Sequence, residues 1–290
     1  MPKLLAVGVG LVDVYAFERR MYPGGNELNV AWYARELGAE SSFMGVLGSD
    51  QAGKLLARLC REKGIDLTRS RFKQGQSNFA WVELIKGERI FTGISKNGVT
   101  DLYPVRCGPE DLAYAACHDL ICASYASRLR REDLAALAGT KIPLCYDFND
   151  DFTEEEMKEL CPLASFGLFS CGHCETGEAA RAVLRRACSF GCGTAVATLG
   201  AEGSLVLAGG QFYTEPALPV QAVDTMGAGD SFWAAFLVNW FKDVQTHGAP
   251  DVQGAMRAAS AFAGKNVCRR GSLGFGMPAD LAALGEIRPL

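Results

Sequence analysis

The chain has 290 residues, 49% hydrophobic and 21% charged, ordinary values for a globular protein of one large α/β domain or two smaller ones. Lys plus Arg at 29 against Asp plus Glu at 33 leave a net charge of −4 with no basic run, so neither nucleic acid nor an anionic membrane is expected as a partner. No apolar run approaches the roughly 20 residues that cross a bilayer, and MPKLLAVGVGLVDVY meets Gly and Asp too early for a secretory leader, so the expected location is the cytoplasm.

In chain order, LLAVGVG at 4–10 reads as a buried strand. NELNVAWYAREL then places Leu28, Ala31, Trp32 and Arg35 at helical spacing. FMGVLG at 43–48 is a second strand, and QAGKLLARLCREKG is a helix stopped by Gly64. SNFAWVELI and RIFTGI, joined by a short Lys-Gly-Glu turn, form an antiparallel hairpin that suits a lid, drawn from about 12–22 and 72–100. From residue 110 the short apolar runs DLICAS, IPLCYDF, SFGLFS and TAVATL alternate with stretches long enough for crossover helices, as in a parallel sheet. A hairpin around Gly209 and Gly210 follows, then the long apolar helix of GAGDSFWAAFLVNWFKD. With no linker, low-complexity tract or repeat, residues 1–290 read as one doubly wound, mostly parallel α/β domain with a small β lid.

The most informative stretch is AVDTMGAGDSFWAAFL at 222–237. Gly227, Ala228 and Gly229 stand where a loop becomes a helix, so unobstructed amides and the positive end of the helix dipole can hold an anion. Asp230 puts a carboxylate beside that cradle, which electrostatics disfavours unless the carboxylate takes a proton from an attacking hydroxyl. The combination points to phosphoryl transfer, against the plainer alternative of a Gly-rich helix start with an ordinary first-turn Asp.

DTMGAGDSF resembles the C-terminal signature of the ribokinase (PfkB) family of carbohydrate kinases, and PGGNELNVAWYARELGAESSFMGVLGSDQAG at 23–53 resembles its N-terminal signature. The resemblance implies a ribokinase-like fold and ATP-dependent phosphorylation of a primary sugar hydroxyl. It implies Asp230 as the base and the Gly227, Ala228 and Gly229 backbone as anion hole, with Asp13, Gly24, Gly25 and Asn29 on the sugar; Asp147, at the end of the IPLCYDF strand, faces the expected crevice and is a further candidate to contact substrate or orient metal waters. TLGAEGS at 198–204 resembles the Thr-x-Gly-x-x-Gly nucleotide turn, implying that Thr198, Gly200 and Gly203 meet ATP, with Asn266 on the adenine side. Asp224 and Thr225 match the edge of a monovalent-cation site, so K⁺ joins ATP and Mg²⁺ among the implied cofactors. Within the family, GGNELNVAWYARELG and the Met of DTMGAGDSF are most similar to the kinases of Amadori-modified lysine. Ribokinase-like, 2-keto-3-deoxygluconate kinase-like and nucleoside kinases stay open, as does a homodimer paired through the lid.

SCGHCETGEA at 170–179 offers a different class, a dithiol oxidoreductase or zinc module. Cys171 and Cys174 are separated from Cys188 and Cys192 by a stretch that reads as a helix, which at about 1.5 Å per residue sets the pairs roughly 20 Å apart, too far for one zinc ion. Most of the eleven cysteines lie in apolar stretches, where reduced thiols pack as small hydrophobes. The resemblance instead makes this turn the Mg²⁺ side of the site, with Glu175 as the acid acting through water and Glu178 its rival. The Asn-x-x-Glu that the family carries here is absent from the chain.

Overall fold

The computed structural model describes residues 1–174 and 176–289. β1 (Lys3–Gly8) is buried along all but its first residue, as its unbroken apolar run requires of a strand covered on both faces. The chain then leaves the main sheet for β2 (Leu11–Tyr15) and β3 (Arg20–Gly24). It returns through α1 (Asn26–Glu36) to β4 (Glu40–Gly48), parallel to β1. α2 (Gln51–Lys63) is closed at both ends by its own sequence: Asp50 accepts from the Gly53 amide, and Gly64 takes the left-handed conformation at φ 77°. β5 (Arg71–Lys73), β6 (Phe79–Ile85), β7 (Glu88–Ser95), α3 (Val99–Leu102) and α4 (Pro109–Ala115) follow.

The second half alternates β8 (Leu120–Ser124), α5 (Arg131–Gly139), β9 (Leu144–Asp147), α6 (Glu154–Leu160), β10 (Phe166–Ser170), α7 (Gly177–Ser189) and β11 (Thr194–Thr198). The hairpin β12 (Ser204–Ala208) and β13 (Gln211–Glu215) precedes α8 (Ala228–His247), α9 (Val252–Asn266), β14 (Met277–Pro278) and β15 (Ile287–Pro289). Nine strands form the main sheet in the order β13-β12-β11-β10-β9-β8-β1-β4-β5, parallel from β11 to β5. α1, α2, α8 and α9 bury one face, and α5, α6 and α7 the other. Strand order reverses between β1 and β8, which opens a crevice at their carboxyl ends, the place where open α/β sheets bind ligands.

A second sheet, β14-β3-β2-β6-β7-β15, stands over that crevice. Tyr15, Tyr22 and Val82 from this sheet pack on Met226, so the methionine of DTMGAGDSF lies under the small sheet. The expected lid bounds differ at one edge: Arg71–Lys73 pair with Val46–Gly48 and extend the main sheet. Two short C-terminal strands join the small sheet, Met277–Pro278 on β3 and Ile287–Pro289 on β7. At two and three residues they are too short to show alternation.

Candidate active site

The sugar-side candidates converge on the crevice. Gly25 starts α1 at φ 102°, and a Cβ there would lie 2.6 Å from the Val9 carbonyl, so only glycine lets the chain cross back over the end of β1. This crossing brings Asn29 beneath the small sheet, where its Nδ2 donates to Oδ2 of Asp230 at 2.8 Å. Asn29 Oδ1 is buried with no partner, an acceptor suited to an incoming hydroxyl donor. Asp13 is 2% exposed on β2, pairs with Tyr22 and lies against Gly24, two residues further along β3. Asp147 ends β9, with Oδ1 accepting from the Asn149 amide at 2.8 Å.

Gly227 caps α8 at φ 73°, and a Cβ there would lie 2.7 Å from the Tyr33 hydroxyl, itself donating to the Ser272 carbonyl at 2.6 Å. Ala228, Gly229 and Asp230 form the first turn of α8, whose amides lie ahead of the helical hydrogen-bond ladder and at the positive end of the dipole. Ahead of it, Asp224 is fully buried: Oδ1 accepts from the Met226 amide, and Oδ2 from Tyr15 Oη and the Gly271 amide. Thr225 is tied to the hairpin tip, its amide donating to the Gly87 carbonyl at 3.0 Å and its Oγ1 accepting from the Arg89 amide at 3.1 Å. Both residues expected at the edge of a monovalent-cation site thus also have protein partners, and no step is derived through a cation.

On the other side of the crevice, Thr198 ends β11 and its carbonyl accepts from the Cys171 amide at 2.8 Å, which joins the Thr-x-Gly turn to the CGHC turn. Gly200 and Gly203 hold positive φ at 59° and 109° around that turn. Glu175 lies outside the described residues, and Glu178 is engaged at the surface by Arg185 at 2.6 Å. Among the described residues no group of three His, Cys, Asp or Glu side chains is placed to hold a metal. A Mg²⁺ ion carried by ATP phosphates needs only one or two protein carboxylates, and Asp147 at the crevice is suited to that. Asn266, expected on the adenine side, is 4% exposed, with Nδ2 directed to the Met226 carbonyl at 3.4 Å, so its amide faces the anion-hole loop. Cys171 is 1% exposed and burial raises its thiol to about 12, the reverse of an activated thiolate.

Four of the buried carboxylates around the crevice are pushed up by burial. Burial is the largest cause in each, raising Asp13 to about 8, Glu27 and Asp147 to about 7 and Asp230 to about 6. The Asn29 amide and the Arg89 cation oppose the rise at Asp230, and Arg89 also opposes it at Asp13. Glu27 and Arg89 were not among the sequence candidates. Glu27 spans the switch point, Oε2 accepting from the Val9 amide at 2.8 Å and Oε1 from Ser124 Oγ at 2.5 Å. Its signal was an acid inside the apolar run NELNVAWYA. Arg89 gave none, since a charge beside a hairpin turn reads as solvated surface.

An amide-lined helix start with a buried acid at its mouth, facing a polar crevice under a small sheet, suits phosphoryl transfer to a hydroxyl, and the similarities to known proteins agree with that class. The pfkB family carbohydrate kinase pattern matches residues 9–279, and the chain belongs to this family of ATP-dependent sugar kinases. It is 33% identical over 277 residues to the fructosamine kinase FrlD of Bacillus subtilis (strain 168), covering 95% of this chain and 94% of that one. It is 30% identical over 240 residues to the fructoselysine 6-kinase of Escherichia coli (strain K12), covering 83% and 90%. In fold it matches the Arabidopsis thaliana ribokinase complexed with ribose and ATP, at a TM-score of 0.78 and 21% identity over 94% of each chain.

Proposed function

We propose that the protein phosphorylates a primary hydroxyl of a fructosamine, with a fructoselysine-type sugar amine as substrate. The observation that carries this reading is the set of four buried carboxylates, Asp13, Glu27, Asp147 and Asp230, around a crevice with Arg89 as the cation acting on two of them. A neutral sugar leaves these acids with their protons held by burial, whereas a protonated amine beside the sugar ring would favour their ionised forms and pair with them. The two fructosamine-type relatives support the same choice.

In this reading Asp13, Gly24, Gly25, Asn29 and Asp147 hold the sugar, and Asp230 accepts the proton of the attacking hydroxyl. The Gly227, Ala228 and Gly229 backbone holds the transferring phosphoryl group, and Thr198, Gly200 and Gly203 lie along ATP. Asp147, with Glu175 through water, would face the Mg²⁺ that screens the phosphate charge. The small sheet acts as a lid that excludes water while Met226 keeps it seated on the anion-hole loop. Phe17, Ile85 and Ile90 of the lid are exposed and support pairing of two lids in a homodimer. Eleven cysteines, all free, suit a reducing cytoplasm.

The test is ADP release coupled to a spectroscopic readout over fructoselysine, other fructosamines, fructose, ribose, 2-keto-3-deoxygluconate and nucleosides. Fructosamines should exceed fructose in kcat/KM by about a hundredfold, the scale of one well-placed charge pair in a desolvated site. Equal use of fructose, or preference for a nucleoside, would overturn the substrate assignment and leave the kinase class intact.

A further inference from the structure

A cavity of about 660 Å³, within the range of small-molecule sites, lies outside the crevice between the start of β3, the outer side of α1 and the 269–276 loop. Its wall is aromatic. Trp32 and Phe275 meet edge to face with ring centroids 5.3 Å apart, and Tyr22 completes the wall. Phe275 is 47% exposed between Gly274 and Gly276, an apolar ring offered to solvent with nothing packed over it among the described residues.

Cations rim the same cavity. Lys63 sits 4.8 Å over the Trp32 ring and 3.8 Å from Glu36, and Arg270 pairs with Glu18 at 3.0 Å. Arg20 and Arg269 have no carboxylate within ion-pair distance among the described residues. Arg20 donates only to the Gly276 carbonyl, and Arg269 Nε is buried without a partner. Two guanidinium groups without counter-ions, in a chain of net charge −4, leave a local positive excess that a phosphate would neutralise through paired N–H donors.

We propose that this cavity is an effector site for a nucleoside phosphate, with the base against Phe275 and Trp32 and the phosphates on Arg20 and Arg269. ADP, the product of the kinase reaction, has both parts. The loop that lines the cavity also reaches the anion hole: the Gly271 amide donates to Asp224, and the Ser272 carbonyl accepts from Tyr33, against which Gly227 packs. An occupant that fixes Arg269 and Phe275 therefore biases the loop ahead of α8, and ADP would alter turnover from outside the catalytic crevice.

Equilibrium dialysis with labelled ADP should give two sites per wild-type chain. Phe275→Ala should weaken one of them about tenfold, the lower range for loss of one base–aromatic stack, and leave the other unchanged. Arg20→Gln, at an exposed side chain, gives an independent variant that tests the phosphate half. Adenosine and inorganic phosphate, used as separate probes, should each bind the second site weakly. One ADP per wild-type chain, or two sites unchanged in both variants, would overturn the proposal.

Discussion

Asn29 Nδ2 donates to Asp230 Oδ2 across 2.8 Å, tying the start of α1 to the first turn of α8 over 201 positions of sequence. The bond links the residue expected to grip the sugar with the residue expected to deprotonate it. Its electrostatic consequence is definite: an amide donor favours the ionised carboxylate and holds Asp230 below the value that burial alone would give.

Asn29→Ala should therefore raise the Asp230 pKa above its present value of about 6 and move the acid limb of the kcat/KM profile to higher pH. Asp230→Asn should lower kcat by about 10²- to 10⁴-fold across the whole range, since a general base is lost and not merely retuned. A pH–rate series on the two variants separates these effects. An Asn29→Ala profile with only a raised KM and an unmoved acid limb would make Asn29 a sugar contact without influence on the base.

Arg89 acts on the same carboxylate through its charge from the hairpin tip, its guanidinium 4.6 Å over the Phe91 ring and its amide bonded to Thr225. Because it favours ionised Asp230 and Asp13, Arg89→Ala should also move the acid limb upward. The side chain is exposed, so high ionic strength should reproduce part of the shift in the unaltered protein and add little in the variant. Identical salt dependence in both would remove Arg89 from the electrostatics of the site.

The CGHC turn yields a third expectation. Cys171 is buried beside Cys174 with its thiol raised to about 12, so it stays protonated and unreactive at neutral pH. The double variant Cys171→Ser, Cys174→Ser should keep its turnover and lose about 1 kcal/mol of stability from a polar replacement in an apolar setting. Alkylation followed by mass spectrometry should mark the exposed Cys117 and Cys268 before Cys171. Loss of phosphoryl transfer without unfolding would give the sulfurs a role in the reaction.

Much of this site was legible in the sequence because its parts are local. Gly227 to Asp230 announce a helix start, and the apolar periods around Leu28 and Leu4 set α1 beside β1. What stayed hidden depends on residues far apart in the chain. The Met226 carbonyl that the Asn266 amide faces could not be read, because a side chain near the end of a helix gives no sign of which neighbour it meets. The partners of Asp224 were hidden in the same way, since Tyr15 and Gly271, which donate to its carboxylate, lie 209 and 47 residues away. β14 and β15 escaped for a related reason, since strands of two or three residues exist only through the partner that receives them.

The last expectation concerns stability. Asp13 ionises near 3.8 in an open chain and near 8 in the fold, because burial penalises its charge. The folded state thus holds this proton more tightly, so the stabilisation from protonated Asp13 is complete below about pH 4 and is lost as pH rises toward about 8. Glu27, Asp147 and Asp230 act in the same direction over narrower windows ending near 7, 7 and 6. The melting temperature of the ligand-free protein should accordingly fall from about pH 5 to about pH 8, and Asp13→Asn should flatten that slope by removing its largest contributor. A saturating fructosamine should offset the loss by pairing its ammonium with the ionised carboxylates, whereas fructose should not. Thermal unfolding in a buffer series reads all three conditions. An unchanged slope in Asp13→Asn would show that the buried acid on β2 is not what couples this fold to pH.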